Sequence, residues 1–332
     1  MLTPVLSLSL AIMLLPVAAG AAWVEQVVDL DGPVVELRQD GDEVFVRNGE
    51  WQRLVVCDAG VCAHAGEPFE PEPAPDGLPG WTVATADDGG GARRAWYAEP
   101  TDRYPHGVFG RPENAGALVV EDVQGRNTTL RLPADSVFED LVPRIADFDG
   151  DGQNDVLVIR SSVRAGAQIV VYRLAAGTLY ESAATAPIGR PNRWLSIAGI
   201  ADYSGNGRPD IALVKTPHIG GVLELLSFDR RQLRPVGRPL KGFSNHVFGS
   251  REASLSASTT VNSDRIHDLV LPSADRRSLK IVTAAGGSLR VIVDVPLDGA
   301  IVTDIGVLDD DGPVFLMGLE DGRLVLVRQT AD

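Results

Sequence analysis

An acidic, glycine-rich pattern of nine residues recurs along this chain, and it restricts the possible folds more than any other feature of the sequence. The first copy, Asp-Phe-Asp-Gly-Asp-Gly-Gln-Asn-Asp, spans residues 147–155, the second spans 202–210, and a degenerate third spans 260–268. The copies run into short apolar segments rich in β-branched residues, which are typical of buried strands. The copies begin 55 and 58 residues apart. Repeat units of that length with only a few strands are typical of β-propellers and other radial repeats.

The first copy has the ligand spacing of a calcium loop. Its aspartates occupy positions one, three, five and nine: Asp147, Asp149, Asp151 and Asp155. The backbone carbonyl of Gln153 is available at position seven, and this alternation lets a tightly turned backbone collect oxygens around a hard cation. Gly150 and Gly152 lie where such a turn needs dihedral angles that a Cβ resists. Position twelve is Val158 rather than the glutamate of an EF-hand, so we expect a loop between strands.

The other copies are weaker versions of the same loop. In the second copy the five ligand positions hold Asp202, Ser204, Asn206, Arg208 and Asp210. The third copy keeps oxygen-bearing side chains at Thr260, Asn262, Asp264 and Asp268 but lacks both glycines. A fourth echo over residues 301–304 keeps only Asp304. One Asp- and Gly-rich segment could be an ordinary turn, but a turn has no reason to repeat. Because ligand charge falls along the series, we expect the first loop to bind calcium more tightly than the second, and the third weakly or not at all.

The pattern Asp-x-Asp-Gly-Asp-Gly-x-x-Asp followed by an apolar strand resembles the FG-GAP, or VCBS, repeat of integrin α-chain propellers and many secreted bacterial proteins. The resemblance covers about residues 100–330. It implies a propeller in which calcium ties together the first two strands of a blade, and a binding or adhesive role. The segments 103–110, 216–221 and 243–250 resemble stretches of secreted proteobacterial proteins of this kind. This narrower resemblance does not imply any enzymatic activity.

We therefore predict an all-β chain that forms a single β-propeller of seven blades, with six as the alternative. The repeats predict units over residues 103–143, 144–196, 197–252 and 253–299. Residues 23–100 would supply one blade with an insertion, or two. The last unit, 301–329, contains only three strands, so we expect residues 23–30 to supply its fourth strand and close the ring.

The first residues of the chain have the features of a secretion signal. Residues 2–17 are apolar and small residues follow them, which predicts a signal peptide over residues 1–21, although no Lys or Arg precedes the apolar run. The propeller would then occupy residues 22–332. No later segment approaches the roughly 18 consecutive apolar residues of a transmembrane helix. We expect a secreted or periplasmic protein without a membrane span.

Composition narrows the range of partners. The net charge of -15 argues against nucleic acid as a ligand and suits divalent cations, since part of the acidic excess lies in the repeated loops.

The two cysteines, Cys57 and Cys62, predict a small loop-closing disulfide in an oxidising compartment. Their spacing is not that of a Cys-x-x-Cys dithiol, and no further cysteine completes a metal cluster.

The function that these features favour is a calcium-binding module with an unknown protein or glycan ligand. Sequence motifs of serine hydrolases, zinc proteases and phosphate-binding loops are absent, so we favour a protein without enzymatic activity. The alternative is a hydrolase or lyase acting on a polysaccharide, with His106, His218 and His246 converging on one face. From the sequence we favour the interpretation that each histidine caps a turn or packs at the end of a blade, and the distances between them decide between the two interpretations.

Overall fold

A computed structural model describes residues 22–58, 60–253, 255–262 and 264–330. These residues form 26 β-strands and no helix. The all-β prediction is therefore confirmed for the described part of the chain. The predicted signal peptide, residues 1–21, lies outside it.

The strands are short, and turns rich in Gly and Asp connect most of them. Their bounds are β1 Trp23–Val28, β2 Glu36–Asp40, β3 Glu43–Arg47, β4 Trp51–Cys57, β5 Gly60–Ala65, β6 Ala84–Thr85, β7 Gly90–Thr101, β8 Asn114–Asp122, β9 Asn127–Arg131, β10 Ser136–Phe138, β11 Arg144–Ala146, β12 Gln153–Ser162, β13 Gly166–Ala175, β14 Thr178–Ala184, β15 Leu195–Ala201, β16 Asp210–Lys215, β17 Val222–Asp229, β18 Gln232–Pro235, β19 Leu240–Lys241, β20 Ala257–Thr259, β21 Asp268–Pro272, β22 Ser278–Thr283, β23 Arg290–Pro296, β24 Gly306–Asp309, β25 Pro313–Gly318 and β26 Leu324–Gln329.

Most of these strands belong to four-stranded antiparallel units in which consecutive strands pair. Strands β2–β5, β15–β18 and β20–β23 each form one unit, and β24–β26 form another together with β1. A nine-stranded sheet contains two more units, β6–β9 and β11–β14, which β10 joins by pairing with β8 and β12. The described residues thus contain six such units, and the number of blades stays a prediction. Arrangement of these units as a closed ring of blades remains a prediction.

The first and last strands of the described chain pair with each other. Strand β1 runs antiparallel to β26, with Trp23 opposite Gln329 and Val28 opposite Leu324. Trp23 also stacks on Phe315 of β25, the strand on the far side of β26, with ring centroids 5.7 Å apart. The N-terminal segment therefore supplies the fourth strand of the last unit, as predicted, although the strand ends at Val28 rather than at Leu30.

The predicted unit over residues 103–143 has the wrong boundary. Strand β7, Gly90–Thr101, pairs with β8 along most of its length, so both strands belong to one unit that begins near residue 84. Residues 102–113 form the loop between these two strands. This loop contains Pro and Gly residues of the kind that also occur in connections between units. The predicted boundary was therefore placed inside a unit.

The cores lie where strands are covered on both faces. In β12 the four consecutive residues from Val156 to Ile159 are each at most 1 % exposed. A strand with one solvent face would alternate buried and exposed residues, so this continuous burial indicates packing on both faces. Each such aliphatic side chain contributes roughly 2 kcal/mol through burial.

The predicted disulfide is present between Cys57 and Cys62, with the two Cα atoms 6.0 Å apart. It links the end of β4 to β5, its neighbour in the first four-stranded unit. The bond therefore closes the turn between two adjacent strands, as predicted from the spacing.

Candidate functional site

The first acidic loop, residues 147–155, connects β11 to β12 and is organised by its first aspartate. The carboxylate of Asp147 accepts hydrogen bonds from the backbone N–H groups of Gly150 (2.8 Å), Asp151 (3.1 Å) and Gly152 (2.8 Å). Gly150 and Gly152 have φ angles of 75° and 81°, which an L-residue rarely adopts. The predicted need for glycine at these two positions is therefore confirmed.

The second acidic loop, residues 202–210, repeats this turn between β15 and β16. The carboxylate of Asp202 accepts hydrogen bonds from the N–H groups of Asn206 (2.9 Å) and Gly207 (2.7 Å). Gln153 in the first loop and Arg208 in the second each donate a backbone N–H, over 2.9 Å, to the side chain at position five. The two loops thus share one backbone conformation, as the shared spacing predicted.

Three carboxylates of the first loop converge. Asp147, Asp149 and Asp151 each place one carboxylate oxygen within 4.8 Å of the others. Asp155, the fourth predicted ligand, is fully buried. Oxygens gathered in this way form the donor set that a hard cation such as calcium prefers.

A residue that the spacing did not identify also enters this loop. The guanidinium of Arg173, on β13, donates to Asp155 over 2.8 and 3.1 Å and to Asp151 over 2.8 Å, and it pairs with Asp149 over 2.9 Å. Burial raises the pKa of Asp155 to about 6, against the opposing effect of Arg173. Burial also acts to raise the pKa of Asp149, but Arg173 outweighs it and holds that pKa below its ordinary value.

The second loop has no comparable cation among its side-chain contacts in the described structure. Asp210 is fully buried; its Oδ2 atom accepts the N–H of Ser204 over 2.9 Å, whereas its Oδ1 atom has no hydrogen-bond partner. The side-chain amide of Asn206 donates to the hydroxyl groups of Ser204 (2.8 Å) and Ser227 (3.2 Å). A buried carboxylate oxygen without a partner, in the same tight turn as Asp202 and neutral side-chain oxygens, fits a calcium ligand set.

The third loop lies next to the second. The backbone N–H of His267 donates to the carbonyl of Asp202 over 3.3 Å. The side chain of Asn262 accepts the N–H of Asp264 over 2.8 Å, which reproduces the local bonds of the other loops. Burial raises the pKa of Asp268, and a hydrogen bond from Thr283 opposes this. The side chain of Arg208 in the second loop lies against Gly150 of the first, so the three loops form a contiguous acidic edge.

The fourth echo does not form such a loop. Asp304 precedes β24, whereas the turn between β24 and β25 is formed by Asp309 and the residues up to Gly312. Asp304 therefore lies at the other end of the strand from the position that a metal ligand would need. The register inferred for this echo was wrong because one matching acid does not fix a strand boundary.

A second cluster lies at the opposite end of the strands, where the three predicted histidines converge. His106 Nδ1 is 2.7 Å from Oε1 of Glu139, which is fully buried. His218 Nε2 is 2.8 Å from His246 Nδ1. The ring of Phe248 contacts His106 and His218 edge-on, with centroid distances of 6.3 and 5.2 Å. The short separations favour the interpretation of a polar site over three unrelated turns.

The hydrogen bonds fix the protonation of the histidine pair. Nε2 of His246 faces the carbonyl of Ser250 over 3.2 Å, and because a carbonyl only accepts, that nitrogen carries the proton. Nδ1 of His246 then accepts from Nε2 of His218, which leaves Nδ1 of His218 with a lone pair. Burial lowers the pKa of His218 to about 4 and that of His246 to about 3, so both rings are neutral at neutral pH.

Glu139 and Trp194 connect the histidines, and sequence reasoning missed both. Trp194 stacks parallel to His218 and donates its indole N–H to the carbonyl of Glu139 over 2.9 Å. The Glu139 carboxylate also accepts the hydroxyl of Ser161. Burial raises the pKa of Glu139, against the hydrogen bonds from His106 and Ser161. No repeat or motif marks these residues, because strands distant in sequence bring them together.

A polar cavity of about 1050 Å³ lies beside the third acidic loop. It is lined by residues of β3, β4, β20 and β24 and the turns near them, including Glu43, Arg53, Ser258, Thr260 and Asp309. The size is at the upper end of the range typical of small-molecule sites.

Comparison with known proteins supports the repeat but covers only part of the chain. Residues 147–213 match the family model described as an FG-GAP-like repeat. The match spans the first two acidic loops and well under half of the sequence. A search of curated proteins found no match. The described structure has no helix with the length and hydrophobicity that crossing a membrane requires.

Proposed function

We propose that this chain is an extracytoplasmic β-propeller interaction module whose acidic loops are ordered by calcium. The match to the FG-GAP-like repeat and the six antiparallel units support the propeller. Contacts between first strands of successive units, β15 with β20, β20 with β24 and β24 with β2, are those of adjacent blades. On this proposal residues 22–332 form one ring of six blades.

The observation that carries the calcium proposal is the carboxylate of Asp210. It is fully buried, and one of its oxygens has no hydrogen bond, which is costly unless another group pairs with it. Asp202, Ser204 and Asn206 would complete a set of oxygen ligands around an ion at this position. Calcium would neutralise the loop and fix its turn against β16.

The cavity beside the third loop is the proposed ligand site. Hydroxyl groups of Ser258 and Thr260, together with the Arg53–Glu43 ion pair, offer donors and acceptors suited to a glycan or a polar peptide. The cavity adjoins the third loop, and His267 of that loop is hydrogen-bonded to Asp202 of the second, so calcium in the second loop would steady part of the cavity wall. Binding would then depend on calcium.

The test is a screen of purified residues 22–332 on glycan and peptide arrays, in calcium and in EDTA. We expect calcium-dependent binding by the wild-type protein that Thr260→Trp, which places a large side chain at the exposed cavity wall, abolishes. Arg131→Ala, which changes an exposed ion pair on β9, is the control. Binding that Thr260→Trp leaves unchanged would reject the cavity as the ligand site.

Secretion is a separate part of the proposal. The apolar segment at residues 2–17 supports export to the periplasm or the medium. Mass spectrometry of the N-terminus after expression of the full chain in a bacterium with an intact secretion system would test it. We expect cleavage near residue 21, and an intact, cell-retained N-terminus would contradict export.

A second candidate function rests on the bond between His106 and Glu139. A buried carboxylate that orients an imidazole is an arrangement used for general acid–base catalysis, as in a polysaccharide hydrolase or lyase. Screening polysaccharides for reducing ends and for unsaturated products would test this candidate. We expect His106→Ala to abolish such activity and Asp149→Asn to leave it intact, and the same activity in both variants would reject the site.

A further inference from the structure

The first acidic loop is filled by a cationic side chain of the chain itself. Arg173 contacts Asp149, Asp151 and Asp155, which are three of the four carboxylates expected to bind calcium there. Its side chain is only 15 % exposed, so the guanidinium is held within the loop rather than lying over its surface. Its shortest contact with each of the three carboxylates is below 3 Å, as expected for charge-assisted hydrogen bonds.

The same position in the other two loops is neutral. Strand β13 pairs with β12 so that Val156 faces Tyr172, and extending this register by one residue places Arg173 opposite Asp155. The corresponding registers place Ser227 opposite Asp210 and Thr283 opposite Asp268. The three loops can therefore be compared directly. The residue opposite the ninth loop position carries a guanidinium in the first loop and a hydroxyl group in the second and third.

What calcium must displace in order to bind differs between the first and second loops. A calcium ion entering the first loop would have to displace Arg173, whose positive charge would then lie unpaired beside a divalent ion. In the second loop no such displacement is needed, and the buried Oδ1 atom of Asp210 has no other partner.

We propose that Arg173 takes the place of calcium in the first loop, so that this loop closes without the ion and the second loop provides the calcium response. This proposal rests on the proposed calcium function only for the second loop. It reverses the ranking that ligand charge alone predicts, because the loop with the most carboxylates is also the loop that already contains its cation.

The test is Arg173→Ser, which gives the first loop the residue of the second. Calcium binding to residues 22–332 would be measured by isothermal titration calorimetry, and unfolding would be followed in EDTA and in calcium. We expect Arg173→Ser to bind about one more calcium ion per chain than the wild type and to show a larger rise in melting temperature with calcium. Arg173→Lys, which cannot bridge three carboxylates, controls for charge.

Two further variants keep the proposal falsifiable if Arg173→Ser fails to fold. In the wild-type background Asp149→Asn should leave the number of bound calcium ions unchanged, whereas Asp210→Asn should lower it. Loss of a calcium ion in Asp149→Asn would overturn the role of Arg173 while leaving the calcium function intact. A wild type that binds no calcium, with Arg173→Ser gaining a site, would reject the calcium function and support the role of Arg173.

Discussion

The two ends of strand β12 carry opposite chemistry, since one end is an acidic loop that contains its own cation and the other end meets a buried histidine cluster. At its start Asp155 lies in an acidic loop whose charges need a cation. Near its other end Ser161 binds Glu139, which orients His106. Six residues of extended strand separate Asp155 from Ser161, about 20 Å. Changes at one end should therefore leave the other end largely unaffected.

The largest effect is expected at the histidine end. His246 is fully buried between His218, Ser250 and aromatic rings, so His246→Ala removes two hydrogen bonds and leaves a cavity. We expect a loss of about 3 kcal/mol in the free energy of unfolding, measured with urea. The loss should be equal in EDTA and in calcium, and a loss seen in only one condition would mean that the two ends are coupled.

Lowering the pH should change the free energy of unfolding in opposite directions at the two ends of β12. Because the pKa of His246 is lowered to about 3 in the folded state, the unfolded chain takes up this proton first, and stability falls as the pH drops from about 6.5 toward 3. Asp155 acts oppositely, since its raised pKa of about 6 lets the folded state take up a proton first as the pH falls from about 6 to 4.

Comparing the wild type with His246→Asn isolates the contribution of His246 to the pH dependence of stability. From pH 6.5 to 5 the wild type should lose about 1.7 kcal/mol more than the variant, as a single buried histidine predicts. Urea titrations at both pH values measure the difference. Equal losses in the two proteins would show that this histidine is not held neutral by the fold.

A smaller effect is expected from Asp210→Asn at the acidic end. The substitution keeps the shape of the side chain and removes the buried charge that calcium would pair with. If the ion binds with a dissociation constant of about 0.1 mM, the wild type gains about 1.4 kcal/mol in 1 mM calcium, and the variant loses this gain. Unfolding in urea with and without calcium measures it, and a retained gain would place the ion elsewhere.

The smallest effect is expected for Phe248→Ala. This ring is 56 % exposed and only borders the histidines, so the free energy of unfolding should change by no more than about 0.5 kcal/mol. The urea midpoint checks this. A change several times larger would mean that Phe248 is part of the packed core of the histidine end.

Features that depend on local spacing could be predicted from the sequence. The positions of Asp147 and Gly150 within one tight turn follow from the pattern itself, and the bond between Cys57 and Cys62 follows from their proximity. Antiparallel units separated by Gly and Asp turns also follow from alternating apolar and turn-forming segments.

Features that depend on how strands pair could not be predicted. Arg173 lies opposite Asp155 only because of the register between β12 and β13, and no motif marks an arginine in a strand. Glu139 directly follows β10, the strand that joins two units of the nine-stranded sheet, and it meets His106 in the loop between β7 and β8. The unit that begins near residue 84 was misplaced because a long Gly- and Pro-containing loop inside a unit looks the same as a connection between units.

The most direct test of the account is the melting temperature of residues 22–332 in EDTA and after addition of about 1 mM calcium. Ordering of the second loop around an ion predicts a clear rise in melting temperature that saturates in the millimolar range. An unchanged melting temperature would contradict the account, because the acidic loops would then be turns that need no ion.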